Sequence, residues 1–84
     1  MVYYLIVCRS LTYAQRTAKV LERAGITSYI IRVPKNIAKE GCGHGVKVAQ
    51  KNLEASLTAL KRSELSPKQL FITFGDNHYR EVSL

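Results

Sequence analysis

Residues 2–7 read Val-Tyr-Tyr-Leu-Ile-Val, apolar or aromatic at every position. Unbroken apolarity, as opposed to alternation, suits a strand that is buried on both faces. This segment therefore belongs at the centre of a sheet, and the rest of the chain has to cover it on two sides. With Cys8 added, the run is still far short of the ~20 residues that cross a bilayer. No basic segment precedes it and no small-residue cleavage site follows it, so it does not read as a signal peptide. The expected location is the cytoplasm. The two cysteines, Cys8 and Cys42, are too few for a secreted disulfide framework and read as thiols in a reducing compartment.

After this strand, Arg9-Ser10-Leu11-Thr12 breaks the apolar run, and Thr12 with Gln15 has the spacing of a capping box. Leu11, Ala14, Ala18 and Leu21 recur at helical spacing, and Gly25 stands where a left-handed residue closes a helix. This predicts a helix over 11–24. Residues 27–33 are β-branched and aromatic and read as a second strand, ended by Pro34, which cannot donate to a ladder. Residues 35–45 form a loop with three glycines near its end, and 46–49 a short third strand. Leu53, Leu57 and Leu60 mark one face of a helix over 52–62. A polar break over 63–67 leads to a fourth strand over 69–74, then a Gly75-Asp76-Asn77 turn. The last seven residues either add a short edge strand or fray.

The order β-α-β-β-α-β is the split βαβ pattern of ferredoxin-like α+β folds. It predicts a single domain over 1–84. Its four-stranded antiparallel sheet is expected in the order 4-1-3-2, with both helices on one face. Tyr3, Leu5 and Val7 then lie on one side of the first strand, with Val2, Tyr4 and Ile6 on the other. In the fourth strand Leu70, Ile72 and Phe74 oppose Phe71. The helices cover only one of these faces. The second is expected to pack against another copy, a partner or the C-terminal tail, and a homodimer is the favoured outcome.

The chain has 13 Lys and Arg against 6 Asp and Glu, a net charge of +7. That balance favours anionic partners. The basic residues are spread along the chain, and Arg16, Lys19 and Arg23 read as the solvated stripe of an amphipathic helix. There is no GxSxG, P-loop or GxGxxG signature. The carboxylates Glu22, Glu40, Glu54, Glu64, Asp76 and Glu81 form no pair at a spacing suited to acid–base work. Catalytic machinery is thus thin, and a non-enzymatic protein is expected rather than an enzyme.

The one local constellation with chemical content is Gly41-Cys42-Gly43-His44-Gly45. In the split βαβ topology the end of the first strand, the start of the first helix and the entry to the third strand share one sheet edge. Cys8, Arg9, Ser10 and this turn are therefore expected to converge. Glycines leave the thiol accessible and widen the backbone conformations open to the turn. Successive amides there can form an anion nest, and a helix N-terminus with Arg9 or Lys35 would favour the thiolate. Cys42 is thus the expected reactive group, with Arg9, Ser10, Lys35, Gly41, Gly43 and His44 as its binding surroundings. The alternative is a small residue that fills a tight turn. His44 has the chemistry of a general acid or base, although adjacent side chains in an extended segment point apart. Cys8 reads first as core packing. Its functional alternative is a resolving thiol, which requires the two Cα atoms to lie within about 7 Å. His78 reads as a surface residue. Cys8, Cys42, His44 and His78 contain no CxxC or HxxxH pair, so no metal site and no cofactor are expected.

The stretch from the first strand through the cysteine turn resembles a family of small domains described as selenium/sulfur carrier-like. The shared pattern is the apolar strand, the short polar turn, a helix running into Ala24-Gly25-Ile26, a strand running to Val33-Pro34-Lys35, and then Cys42-Gly43. It covers roughly the first three-fifths of the chain. Two positions depart from it: Lys35 stands where the family often has Arg, and His44 where an apolar residue is common. The resemblance implies a ferredoxin-like domain that carries sulfur or selenium on Cys42 as a persulfide-type adduct, between donor and acceptor proteins. The residues themselves leave two other readings open. One is a nucleic-acid module using Tyr3, Tyr4, Tyr13, Tyr29 and Phe71 on an open sheet. The other is a regulatory small-ligand domain, by fold analogy. None of these involves a membrane.

Overall fold

The computed structural model describes residues 2–34, 37, 43–75 and 78–83. In chain order the elements are β1 (Tyr3–Val7), α1 (Leu11–Arg23), β2 (Ser28–Arg32), β3 (His44–Ala49), a 3-10 turn (Gln50–Asn52), α2 (Leu53–Arg62), β4 (Gln69–Thr73) and β5 (Tyr79–Val82). The strands form one sheet in the order β2-β3-β1-β4-β5, and every neighbouring pair is antiparallel. The order expected for the first four strands is present. The sheet has five strands among the described residues, not four, because the C-terminal segment pairs with β4.

The apolar first strand lies at the centre, as its composition requires. Ile6 stands between Val46 of β3 and Leu70 of β4. These three pack with Ala14 and Leu21 of α1 and Leu60 of α2 in the main core, so both helices cover the same face. The opposite face carries a second cluster of Leu5, Val7, Val33 and Phe71, with Ile37 and Tyr79 packed against it. Leu5 is fully buried with no helix above it. At this point the chain covers its own second face, through Ile37 of the segment after β2 and Tyr79 of β5. Of the covers expected from sequence, the C-terminal tail is therefore present.

Helix α1 begins one residue after its cap. Ser10 has extended backbone (φ −161°, ψ 166°), and its Oγ accepts the Tyr13 N–H at 3.2 Å. The cap is Ser10, not Thr12, which lies inside the first turn. A serine leaving a strand is already in the extended geometry that a cap needs. Both helices end in Schellman motifs. At α1 the Ile26 N–H reaches the Leu21 carbonyl (2.9 Å), with Gly25 at φ 77°. At α2 the Leu65 N–H reaches the Leu60 carbonyl (2.9 Å), but the left-handed position is held by Glu64 at φ 58°.

A non-glycine residue in that region costs about 1 kcal/mol or more. Glu64→Gly is therefore expected to stabilise the fold by about 1 kcal/mol, a rise of roughly 4–8 °C in melting temperature for a domain of this size. Thermal unfolding followed by circular dichroism checks it, and a fall in melting temperature refutes the account.

Candidate functional site

Three backbone hydrogen bonds assemble one end of the sheet. The Cys8 N–H donates to the His44 carbonyl (3.1 Å), which ties the exit of β1 to the start of β3. The Val33 N–H donates to the Gly43 carbonyl, which ties the exit of β2 to the same place. The Lys68 N–H donates to the Val7 carbonyl (2.9 Å), which brings in the approach to β4. Cys8, Arg9, Ser10, Val33, Gly43, His44 and Lys68 are thus gathered at one edge, together with the N-terminus of α1. The expected convergence holds for every one of its members that the structure describes. Cys42, Gly41 and Lys35 lie outside the described residues; Cys42 is the residue bonded to Gly43.

The side chains at this edge are strongly basic. Arg9 is exposed, and its guanidinium lies 4.9 Å from the centroid of the Tyr13 ring. Arg16 approaches the same ring at 5.8 Å. An aromatic face attracts such cations and holds them in place. Tyr13 therefore fixes two guanidinium groups near the start of α1, where the helix dipole is also positive. No acidic residue lies in the first turn of α1 to offset it. Arg32 stands opposite His44 in the β2–β3 register. Sequence reading missed the Arg9–Tyr13–Arg16 arrangement: Tyr13 and Arg16 share a face of α1 at i, i+3 spacing, but Arg9 precedes the Ser10 cap and reaches the ring from outside the helix.

Ser10, expected as a binding group, spends its hydroxyl as the α1 cap. His44 is the first residue of β3 and only partly buried. Cys8 is 5% exposed and belongs to the main core. Its Sγ lies 3.7 Å from both the Thr17 Oγ1 and the Ile6 carbonyl oxygen. This is the packing environment of a small apolar residue.

The two described glycines of this stretch, Gly43 and Gly45, differ from the expectation that they serve backbone freedom. Neither Gly43 nor Gly45 has a left-handed φ. Gly45 is required for space. A Cβ there would lie 2.9 Å from the Ile6 carbonyl oxygen, 3.0 Å from Leu5 Cδ1 and 3.1 Å from Val33 Cγ2. Gly43 is under no such pressure, since its Cβ would meet only the Val33 carbonyl oxygen at 3.6 Å.

Among the described residues no three His, Cys, Asp or Glu side chains gather to hold a metal ion. None of the described helices is long and apolar enough to cross a membrane.

Fold and site define a small α+β domain with a cationic sheet edge at which Gly43, the residue bonded to Cys42, is held by Val33. Over residues 3–72 the sequence matches the model of the family described as Putative Se/S carrier protein-like. The chain belongs to this family. No curated protein and no solved structure matches it.

Proposed function

We propose that this protein is a sulfur or selenium carrier in which Cys42 is the carrying residue. Family membership over residues 3–72 is the observation that carries this reading. The site geometry supports it, because Gly43, the residue after Cys42, is tied into a cationic edge that would stabilise an anionic sulfur. Arg9 and the α1 N-terminus are the described groups of that edge, and Lys35 and the Gly41–Gly43 amides complete it in this proposal. The sheet order β4-β1-β3-β2, with both helices on one face, supports a ferredoxin-like ancestry to which β5 was added. The carrier would work on cytoplasmic donor and acceptor proteins.

The transfer is a thiol–persulfide exchange. The Cys42 thiolate attacks the terminal sulfur of a donor persulfide. A new S–S bond forms on Cys42, the donor's S–S bond breaks, and its electron pair stays on the donor thiolate. No net oxidation occurs, so no further oxidant is needed. A terminal selenium would pass by the same exchange.

Intact mass after incubation with a persulfide donor tests the reading. A gain of one sulfur atom that depends on Cys42 supports it; no gain, or a gain independent of Cys42, overturns it.

The electrostatic part makes its own prediction. With Arg9 and Arg16 both changed to Gln, the thiol loses two cations that favour its charged form. Its pKa rises, the thiolate fraction at neutral pH falls, and alkylation of Cys42 by iodoacetamide slows about threefold at low salt. The difference narrows as salt is added. An unchanged rate would show that these cations do not act on Cys42.

A further inference from the structure

At the other end of the sheet lies an open groove of about 620 Å³, bounded by the start of β1, the start of β2 and the end of β3. Its volume is in the range of ligand sites. Tyr3 and Tyr29 line it, with Ala49 between them, and Thr27, Gln50 and Lys51 complete the polar part. It is separated from Gly43 and the cationic edge by the length of β3, His44–Ala49, about 17 Å for a strand of that size. The carrier chemistry makes no use of it.

The register explains why the two aromatic rings share this face. Tyr29 is paired with Lys47, and Tyr3 with Ala49, all on the side of the sheet away from the helices. Lys47 reaches diagonally, and its Nζ lies 4.4 Å from the centroid of the Tyr3 ring. Ala49 is too small to fill the space beside it. Tyr29 is 58% exposed, on a face where Leu5 and Val33 are closed over completely or nearly so. A large aromatic ring held open on a strand, beside a lysine, is a stacking surface with a cation at its rim.

The charge pattern selects the occupant. None of the residues lining the groove is acidic, and Lys51 is exposed on its wall. The whole chain carries +7. An aliphatic or membrane partner would leave Lys51, Gln50 and Thr27 unmatched. A base has a π-face for Tyr29, hydrogen-bonding edges for the amide and hydroxyl groups, and phosphates for the two lysines. We infer that this groove binds single-stranded nucleic acid, with a base stacked on Tyr29 and the backbone running past Lys47 and Lys51.

The test is fluorescence anisotropy of a labelled twelve-nucleotide oligouridylate at low salt, with the full-length chain. The wild type is expected to bind, with an affinity that falls as salt rises. Tyr29→Ala should weaken binding about tenfold, the typical loss of one base–aromatic stack, while Tyr29→Phe keeps it. Lys51→Gln should weaken binding and flatten the salt dependence by roughly 0.7 in logarithmic slope, the share of one phosphate contact on a single strand. Phe74→Ala is the control, because Phe74 is 59% exposed but does not line the groove. It should leave binding unchanged. Absence of binding by the wild type overturns the inference. So does binding that Tyr29→Ala leaves intact, which would mean diffuse charge alone. Competition by an acidic peptide or by free uridine monophosphate at the oligonucleotide's own concentration would reassign the groove and likewise overturn it.

Discussion

A Cys42→Ala chain is expected to take up no sulfur from a persulfide donor, while a Cys8→Ala chain takes up a full equivalent. The contrast follows from where the two thiols stand. Cys8 Sγ is enclosed between α1 and the sheet, against Thr17 and the Ile6 carbonyl, with 5% of the residue exposed. A donor persulfide cannot reach it without opening the main core. Its removal deletes one buried heavy atom and is expected to cost about 1 kcal/mol, at the low end of large-to-small core substitutions. Cys42 is attached to Gly43, whose carbonyl is held by Val33 at the basic edge. Its replacement removes the only nucleophile proposed there. Intact mass before and after loading reads the chemistry, and the thermal midpoint of each variant separates lost chemistry from lost folding. Uptake by Cys42→Ala together with no uptake by Cys8→Ala would reverse the assignment and end the carrier reading on Cys42.

The same comparison bears on the redox alternative. A resolving thiol has to leave its own environment to meet its partner, and Cys8 is held among Ile6, Ala14 and Leu21 in the core. The contacts described for Cys8, with Thr17 and the Ile6 carbonyl, are those of a packing residue. A Cys8→Ala chain should therefore load and unload at the wild-type rate, which direct kinetic comparison by mass spectrometry would establish.

The sequence made the framework legible wherever a periodic signal was long. Residues 2–7 announced a central strand, and Ile6 does stand between two neighbours and beneath both helices. Leu11 to Leu21 with Gly25 announced a helix and its end, and the Schellman bonds are where the glycine put them. The convergence at the sheet edge followed from topology alone, because element order dictates which strand ends meet.

Other features were not legible, for identifiable reasons. Ser10 and Thr12 are both competent caps, and only the extended backbone of Ser10 as it leaves β1 decides between them. Strand β5 has just four residues, too few for alternation to stand out from a polar tail. Ile37 lies in a segment with the composition of a loop, so its packing against the second cluster had no periodic signature. The sequence offers Tyr3, Tyr4, Tyr13, Tyr29 and Phe71 together as stacking candidates; only the β1–β3 and β2–β3 registers place Tyr3 and Tyr29 on the helix-free face, and Phe71 is buried.

Gly45→Ala is expected to be the most damaging conservative change in the framework of the site. Two side chains of the helix-free face, Leu5 and Val33, meet over Gly45, and the Ile6 carbonyl approaches it from the neighbouring strand. A methyl group would stand 2.9 Å from that carbonyl oxygen. Side chains yield to such a clash by changing rotamer, but a backbone oxygen at the centre of a sheet yields only if β1 and β3 move apart. Overpacking of this kind costs about 1–3 kcal/mol. For a domain of 84 residues that lowers the melting temperature by roughly 4–24 °C, at about 4–8 °C per kcal/mol. The effect reaches the site because Val33, one of the two displaced side chains, also donates the backbone bond that holds Gly43. Sulfur loading should therefore slow even at temperatures where Gly45→Ala remains folded. Gly43→Ala is the control: its Cβ would sit at an ordinary 3.6 Å contact and its φ is not left-handed. It should be neutral or stabilising by a few tenths of a kcal/mol, about the gain from a stiffer unfolded chain. Equal melting temperatures for the two variants would show that Gly45 is not a spacing residue, and that the second core does not fix the position of Gly43.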